Sequence, residues 1–518
     1  MTNKDNLVYR TKQYTIKSCD TEIFNFCDDV CYKAKNLRNS ANYHLRQCFA
    51  FGKKDTSELR KEDVEYLDEI NTYLKAFGDH SLEVKEKALK KLLDKYDKTP
   101  SDNLKKKIET KQKQINNYKY PKLVGQAYDN ELISYEFLAY YYPNHFKETE
   151  EYTNPYKELM AQVSQQILKN LFNDWKSFFK ALQAYKRNPS TFTGRPKLPS
   201  YKKKDGRIKV SYTNQTIKFK NGILSFGGST VKYNCSELPS NAKLQEVRIV
   251  PRGINYNLEI VYSIPRETNN LIDKNKCLAI DLGISNLATL TNNIGLEPII
   301  INGRKLKNIN QLYNKQRAKY KSLQPFVTKA RYDRKKGINV VEKKQIGDTK
   351  KLKRITNKRN RRVKDYLHKT SKWIIDYCLK NKIGTIVIGK NTDWQRNSNI
   401  GATNNQNFVT IPYSQLIEMI KYKAEFVGIE VIEQEESYTS KASFLDNDEI
   451  PVFDKNNKQE YIFNGKRIKR GLYKTSKGYL INADVNGSLN IMRKFNSELT
   501  KSIKISDVLK YPRIVNVA

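Results

Sequence analysis

Residues 276–292 read KCLAIDLGISNLATLTN, and this stretch decides the fold. Cys277 to Ile280 is an apolar run suited to a buried strand, and it closes on a carboxylate, Asp281. Gly283 permits a tight turn, and LATLTN at 287–292 reads as an antiparallel partner. A third strand follows in EPIIING at 297–303. Burying an acid at a strand end is costly unless a cation compensates, although many such aspartates only shape a turn. Asp281 is therefore the first candidate for chemistry.

Downstream lies a basic stretch from about 305 to 380, read as a long basic helix. Its second part, 351–380, has helical apolar spacing and a cationic face carrying Arg359, Arg361 and Arg362, suited to phosphates. KIGTIVIGKN at 382–391 is a buried strand, YSQLIEMIKYKAEFVG at 413–428 an amphipathic helix, and GIEVIEQEE at 428–436 a strand ending in acids. Three strands, a helix, a strand, a helix and a strand is the order of an RNase H-like α/β domain. Open α/β sheets of this kind place active groups at the carboxyl ends of their strands. INADVNGSLNIMRKF at 481–495 then starts a helix with Asp484, where an aspartate can also be a cap. Acids on the first strand, the fifth strand and the last helix would converge. Clustered carboxylates repel, and a divalent ion, Mg²⁺ or Mn²⁺, is their usual justification. Two such ions about 4 Å apart activate water and stabilise the leaving oxygen of a phosphodiester.

Upstream, Leu7 to Ile16 suggests a strand, and residues 20–185 are helical, with Lys/Glu-rich stretches whose i, i+4 charges mark solvated faces. The last of these helices must stop at Asn188-Pro189. The loop that follows, with Arg187 just before it, presents Arg195, Lys197, Lys202, Lys203 and Lys204 to an anionic partner. Four short β runs between 208 and 264 suggest a small antiparallel barrel or sheet, joined by the first strand into one β domain that the helices interrupt.

Composition agrees with a nucleic-acid partner. The 518 residues carry 95 Lys and Arg against 55 Asp and Glu, a net charge of +40, which self-repels unless a polyanion neutralises it. No apolar run is long enough for a membrane span, and the polar N-terminus lacks a secretory signal. The seven cysteines contain no CxxC pair, which fits a reduced prokaryotic cytoplasm or nucleoid.

At these residues the chain resembles the TnpB proteins of insertion sequences and the related compact type V CRISPR effectors. The resemblance is carried by 175–207, EVRIVPRG, AIDLGISNLATL, INGRKLKNIN, YLHKTS, VIGKN, the run from Asn407 to Asp446, GKRIKRGLY and INADVNGSLNI. It implies RNA-guided DNA cleavage by a RuvC-type nuclease, with guide RNA and double-stranded target DNA as partners. It also implies an N-terminal module that reads a short motif beside the target. The expected organisation is a wedge β domain from 1–19 and 201–270, interrupted by a helical recognition segment at 20–200. A nuclease domain at 271–436 follows, then an insert at 437–482, the last nuclease helix at 483–496 and a tail at 497–518. Monomer and homodimer both remain open.

Two positions depart from the family pattern. Many relatives end the VIGKN strand in glutamate where this chain has Gly389. The missing acid must come from elsewhere, and Glu436 is the choice, with Glu435 as the alternative. If no acid replaces it, the chain is a nuclease-inactive, RNA-guided DNA-binding protein. The insert, where many relatives carry two CxxC pairs, has no cysteine or histidine between 438 and 482. No zinc is expected there, and Arg467, Lys469 and Arg470 are left to meet the substrate strand.

Overall fold

The computed structural model describes residues 7–51, 54, 56–121, 123–124, 133–150, 153–266, 272–333, 338–345, 347–390, 411–453 and 460–517. They form two compact units, one from Tyr9 to Ile264 and the other from Pro265 onward together with Leu7 and Val8.

In the first unit, strand β1 (Leu7–Ile16) precedes helices α1 (Thr21–Phe51), α2 (Lys61–Lys98), α3 (Asp102–Asn116), α4 (Tyr135–His145) and α5 (Ala161–Arg187). The charge pattern predicts solvated faces for α2 and α3. No residue of α3 is buried, and α2 buries only Leu67, Ile70, Leu74 and Gly78. The stripe of α5, by contrast, buries Leu168, Leu171 and Trp175, and Trp175 donates its indole N–H to Asn42 Oδ1 at 2.9 Å. Helix α5 stops at Arg187, before Pro189, as the proline requires. Strands β2 (Val210–Thr213), β3 (Ile217–Lys220), β4 (Ile223–Phe226), β5 (Lys232–Asn234), β6 (Lys243–Arg252) and β7 (Asn255–Pro265) follow. They make two sheets, β1-β7-β6-β2 and β3-β4-β5.

The second unit opens with β8 (Asp273–Leu282), β9 (Asn286–Asn292), β10 (Ile299–Asn302) and α6 (Arg304–Ser322). A hairpin, β11 (Phe326–Asp333) and β12 (Ile338–Gln345), separates α6 from α7 (Lys350–Lys380). The single basic helix expected from 305 to 380 is thus two helices with a hairpin between them. Pro325 stops α6, and the β-branched residues beyond it favour strands. Then come β13 (Ile383–Gly389), α8 (Tyr413–Phe426), β14 (Glu430–Gln434), β15 (Lys466–Lys469), β16 (Leu472–Lys474), β17 (Leu480–Asn482), α9 (Ala483–Phe495) and β18 (Arg513–Val515).

The main sheet has the order β14-β13-β8-β9-β10-β18. Strands β8, β9 and β10 are antiparallel neighbours, while β13 runs parallel to β8 and β14 parallel to β13. That is an RNase H-like strand arrangement, with β18 added parallel to the β10 edge. Alternate residues of β8 serve opposite faces. Leu278 and Ile280 join the large cluster built with α7 and α8, whereas Cys277 and Ala279 pack with Val387, Ile491 and Met492.

Candidate active site

Alternation along β8 decides where Asp281 goes. Two residues beyond Ala279, it leaves the sheet on the side that α9 covers. Gly389 stands in the same relation to Val387 on the adjacent β13, where Ile388 pairs with Ile280. Small residues let α9 approach closely. Ser488 donates to the Ala279 carbonyl at 3.1 Å, and a Cβ on Gly487 would lie 3.1 Å from Asp281 Oδ2.

Asp484 sits in the first turn of α9 without being its cap. Asn482 fills that role, its Oδ1 accepting from the backbone N–H of Asp484 at 2.9 Å and of Val485 at 3.2 Å. The carboxylate of Asp484 is turned to other partners. Its Oδ2 accepts from Asn286 Nδ2 at 2.6 Å, and its Oδ1 lies 3.3 Å from Arg467 Nη2 of β15. Arg467, expected at the substrate strand, lies here beside this carboxylate.

The two adjacent glutamates part company. The strand ends at Gln434, so the pleat does not extend to Glu435 and Glu436, and ion pairs separate them instead. Glu435 is held by Lys494 of α9, Oε2 to Nζ at 2.5 Å, and accepts from the Ser437 N–H at 2.7 Å. Lys494, whose side chain is 7 % exposed, also donates to the carbonyls of Ser437 and Pro451. Glu433 is likewise occupied, bridging Lys390 and Lys421 at 2.5 Å each. Glu436 goes the other way. A Cβ on Gly389 would come within 2.6 Å of Glu436 Oε2 and 2.5 Å of Ile491 Cδ1, so the carboxylate fills the space that a side chain at 389 would need.

Electrostatics separates these acids further. Burial first, and then the charges of Glu436 and Asp484, push the Asp281 carboxyl well above the usual range, against the pull of Arg467 and the Leu282 N–H. Burial and the neighbouring Glu435 charge raise Glu436 to about 7, with Lys494 opposing. Burial would also raise Glu433 and Glu435, yet their lysine partners outweigh it and both fall below the usual range. Among the described residues, no three acidic, histidine or cysteine side chains are already gathered closely enough to hold a metal ion. The donor set of Asp281, Glu436 and Asp484 is nonetheless all oxygen, and its mutual repulsion is what a hard divalent cation relieves.

The basic residues are distributed more widely. Arg187, Arg195, Lys197, Lys202, Lys203, Lys204, Arg361, Arg362, Lys469 and Arg470 are exposed. Arg359 is half-buried and turned toward α6, donating to Asn310 Oδ1 at 2.7 Å. Sequence reasoning missed Asn286 and Lys494. Asn286 begins the strand that returns beside Asp281, and that hairpin was the available signal; Lys494 left none beyond a cation near the end of an apolar helix.

The family described as probable transposase, OrfB_IS605, matches residues 259–395, and the Cas12f1-like TNB domain matches residues 413–491. Asp281 lies in the first match, and Glu436 and Asp484 lie in the second. The chain is 27 % identical over 258 residues to a CRISPR-associated endodeoxyribonuclease Cas12f1 of Sulfoacidibacillus thermotolerans, covering 49 % of this chain and 54 % of that protein. It is 25 % identical over 247 residues to the TnpB-like protein ORF457 of Acidianus two-tailed virus, covering 47 % of each. The chain therefore spans about half the length of the curated relatives it matches. A cryo-EM structure of a Cas12f1–sgRNA–target DNA complex aligns with a TM-score of 0.41 at 15 % identity, over 94 % of this chain and 99 % of that one. The two family matches together span all three acids.

Proposed function

We propose that this chain is an RNA-guided DNA endonuclease that cuts beside a short target-adjacent motif through Asp281, Glu436 and Asp484. The observation that carries the reading is the fit between Gly389 and Glu436. The strand position where relatives supply an acid is bare, and a glutamate from the β14 end occupies that space. Gly389 then supports a relocated acid rather than a lost one, and the nuclease-inactive reading loses its main support.

Mg²⁺ or Mn²⁺ would be held by these three carboxylates, and such an ion, when bound, lowers the pKa of water and stabilises the leaving oxygen. The chain's own residues prepare the site. Asn286 fixes the Asp484 carboxylate, Asn482 keeps the α9 N-terminus intact, and Lys494 turns the Glu435 side chain away while anchoring the Ser437 carbonyl just after Glu436. Arg467 neutralises part of the acidic charge and is placed to pass to a phosphate oxygen when the substrate strand arrives. The first unit, with its β sheets and helices, would serve as wedge and recognition module, holding guide RNA and target DNA largely by backbone charge. Base pairing would supply sequence specificity, as in RNA-guided effectors generally.

The test combines purified protein, its copurifying RNA, DNA matching that RNA, and Mg²⁺. Cutting is expected only when RNA and Mg²⁺ are both present. Binding without cutting would contradict the nuclease assignment, and cutting that survives removal of RNA would contradict the guided one.

A further inference from the structure

One flank of α1 is spent on the backbone of a single extended segment. Lys35 Nζ donates to the Lys204 carbonyl at 2.7 Å, and Arg38 Nη1 to that of Ser200 at 3.1 Å. Asn39 brackets Lys202, donating to its carbonyl and accepting from its N–H, both at 2.9 Å. Asn42 and Arg46 both donate to the Pro199 carbonyl, at 3.1 and 2.7 Å. Positions 35, 38, 39, 42 and 46 form one helical stripe, a place where apolar residues would ordinarily pack. Here the stripe is polar and satisfies main-chain groups, so Pro199 to Lys204 is a braced segment and not a solvated linker.

Bracing has a consequence for the side chains. With their backbone bound to α1, Lys202, Lys203 and Lys204 stay exposed. Beside them lies a cleft of about 1050 Å³ whose lining includes Tyr32, Tyr43, Tyr201, Lys35, Lys202 and Lys204. Tyr43 and Tyr201 are each 46 % exposed. Two of the rings are propped by cations, Tyr201 at 4.9 Å from the Arg46 guanidinium and Tyr32 at 4.0 Å from Lys35 Nζ and 4.6 Å from Arg207, while Tyr43 packs edge-on to Tyr66. Arg207 is itself fixed by both oxygens of Asp28. Flat rings held in place beside cations suit a nucleotide whose base is free to stack while its phosphate is neutralised. A duplex offers phosphates but no open base faces. Asn36, Ser40 and Glu158 line the same cleft with donors and an acceptor suited to a sugar hydroxyl, the group that distinguishes an RNA strand from DNA.

We propose that the braced segment Pro199–Lys204 and the tyrosine-lined cleft beside it hold an unpaired stretch of RNA, with the lysines on phosphates and Tyr43 and Tyr201 on bases. This deepens the reading of the chain as a guided nuclease and rests on it only for the presence of RNA.

Photo-crosslinking tests it on the full chain. The probe is a single-stranded RNA of about 12 nucleotides carrying 5-iodouridine, a length within the range one such site covers. Crosslinks are expected in the peptides bearing Tyr43 and Tyr201. The doubly substituted Tyr43→Leu, Tyr201→Leu chain should lose about a hundredfold in yield, the loss of two stacked bases. Unlabelled single-stranded RNA should compete at least about tenfold better than single-stranded DNA or double-stranded RNA of the same sequence. Crosslinks that map elsewhere, or that survive the double substitution, would overturn the site. Equal competition by single-stranded DNA would overturn the RNA assignment, and equal competition by the duplex would overturn the unpaired strand. Both tyrosines are half-exposed, so the fold should tolerate the changes, and a matching melting curve confirms it. No step requires cleavage, so a chain that never cuts DNA could still pass, and one that cuts could fail.

Discussion

Two groups of acids lie within the second unit and are treated in opposite ways. Asp446 and Asp448, in the insert, are saturated by neutral donors. Asp446 accepts from the Ser443 hydroxyl and from the Ser476 hydroxyl and N–H, and Asp448 accepts from the Ser443 N–H and from Asn464. Arg493 ties the same loop through Asn447 Oδ1 and the Asp448 carbonyl. This network staples the segment in which many relatives would place zinc. Asp281 and Glu436 are half-buried against like charge and are pushed upward, Asp281 well above the usual range and Glu436 to about 7. The contrast separates acids whose charge is met by hydrogen bonds from acids left in mutual repulsion, the pair to which the proposed function assigns the chemistry.

The largest expected effect breaks that contrast outright. Asp281→Asn should reduce cleavage by about a thousandfold or more while guide and target binding persist, since it removes a metal-holding charge from the reacting centre. A single-turnover cleavage assay with a parallel gel-shift checks both halves. Next comes Gly389→Ala. Its methyl group would collide with the Glu436 carboxylate and Ile491, so cutting should fall by about a hundredfold through displacement of Glu436. Stability should fall by about 1–3 kcal/mol from overpacking, read from urea unfolding. A variant that cuts normally would show that Glu436 need not sit beside position 389.

On stability, pH sharpens the difference. The folded pKa of Glu436, about 7, lies above its unfolded value of 4.5, so its protonated form favours folding. In metal-free protein this contribution is present below about pH 4.5 and is lost as pH rises through about 7. The full term is about 3 kcal/mol at 1.36 kcal/mol per pKa unit. The difference in unfolding free energy between wild type and Glu436→Gln, followed from pH 5 to 8, should therefore shift against the wild type, and Mg²⁺ should reduce that shift. Glu435, held below its usual range, should show no such loss on raising the pH. The smallest effect concerns the insert. Asp448→Ala should destabilise by about 2 kcal/mol, the cost of orphaned buried donors, while a zinc chelator that spares Mg²⁺ leaves the melting temperature unchanged. A large chelator-induced shift would contradict a hydrogen-bonded staple.

Much of this arrangement was legible in the residues. The strand order followed from apolar run lengths, and Asp281 was exposed as a candidate by sitting at the end of one. The proline rule placed the end of α5 correctly. Other features depend on tertiary geometry that no local pattern encodes. Pro325 breaks the basic stretch into two helices around a hairpin, although a cationic run looks continuous in composition. The residues alone leave Glu436 and its alternative Glu435 side by side, whereas in the structure the strand stops at Gln434 and Lys494 separates them. Lys494 is 59 residues from Glu435, a pairing visible only after folding. The bond from Arg359 to Asn310 of α6 is likewise visible only after folding.

The most direct measurement compares Glu436→Gln with Glu435→Gln, each loaded with the same RNA and Mg²⁺ and given the same target. Glu436→Gln should bind the target and leave it uncut, while Glu435→Gln keeps cutting within about tenfold of wild type, since it loses only a lysine-held support. Full activity in Glu436→Gln, with cutting lost in Glu435→Gln, would contradict the relocated glutamate.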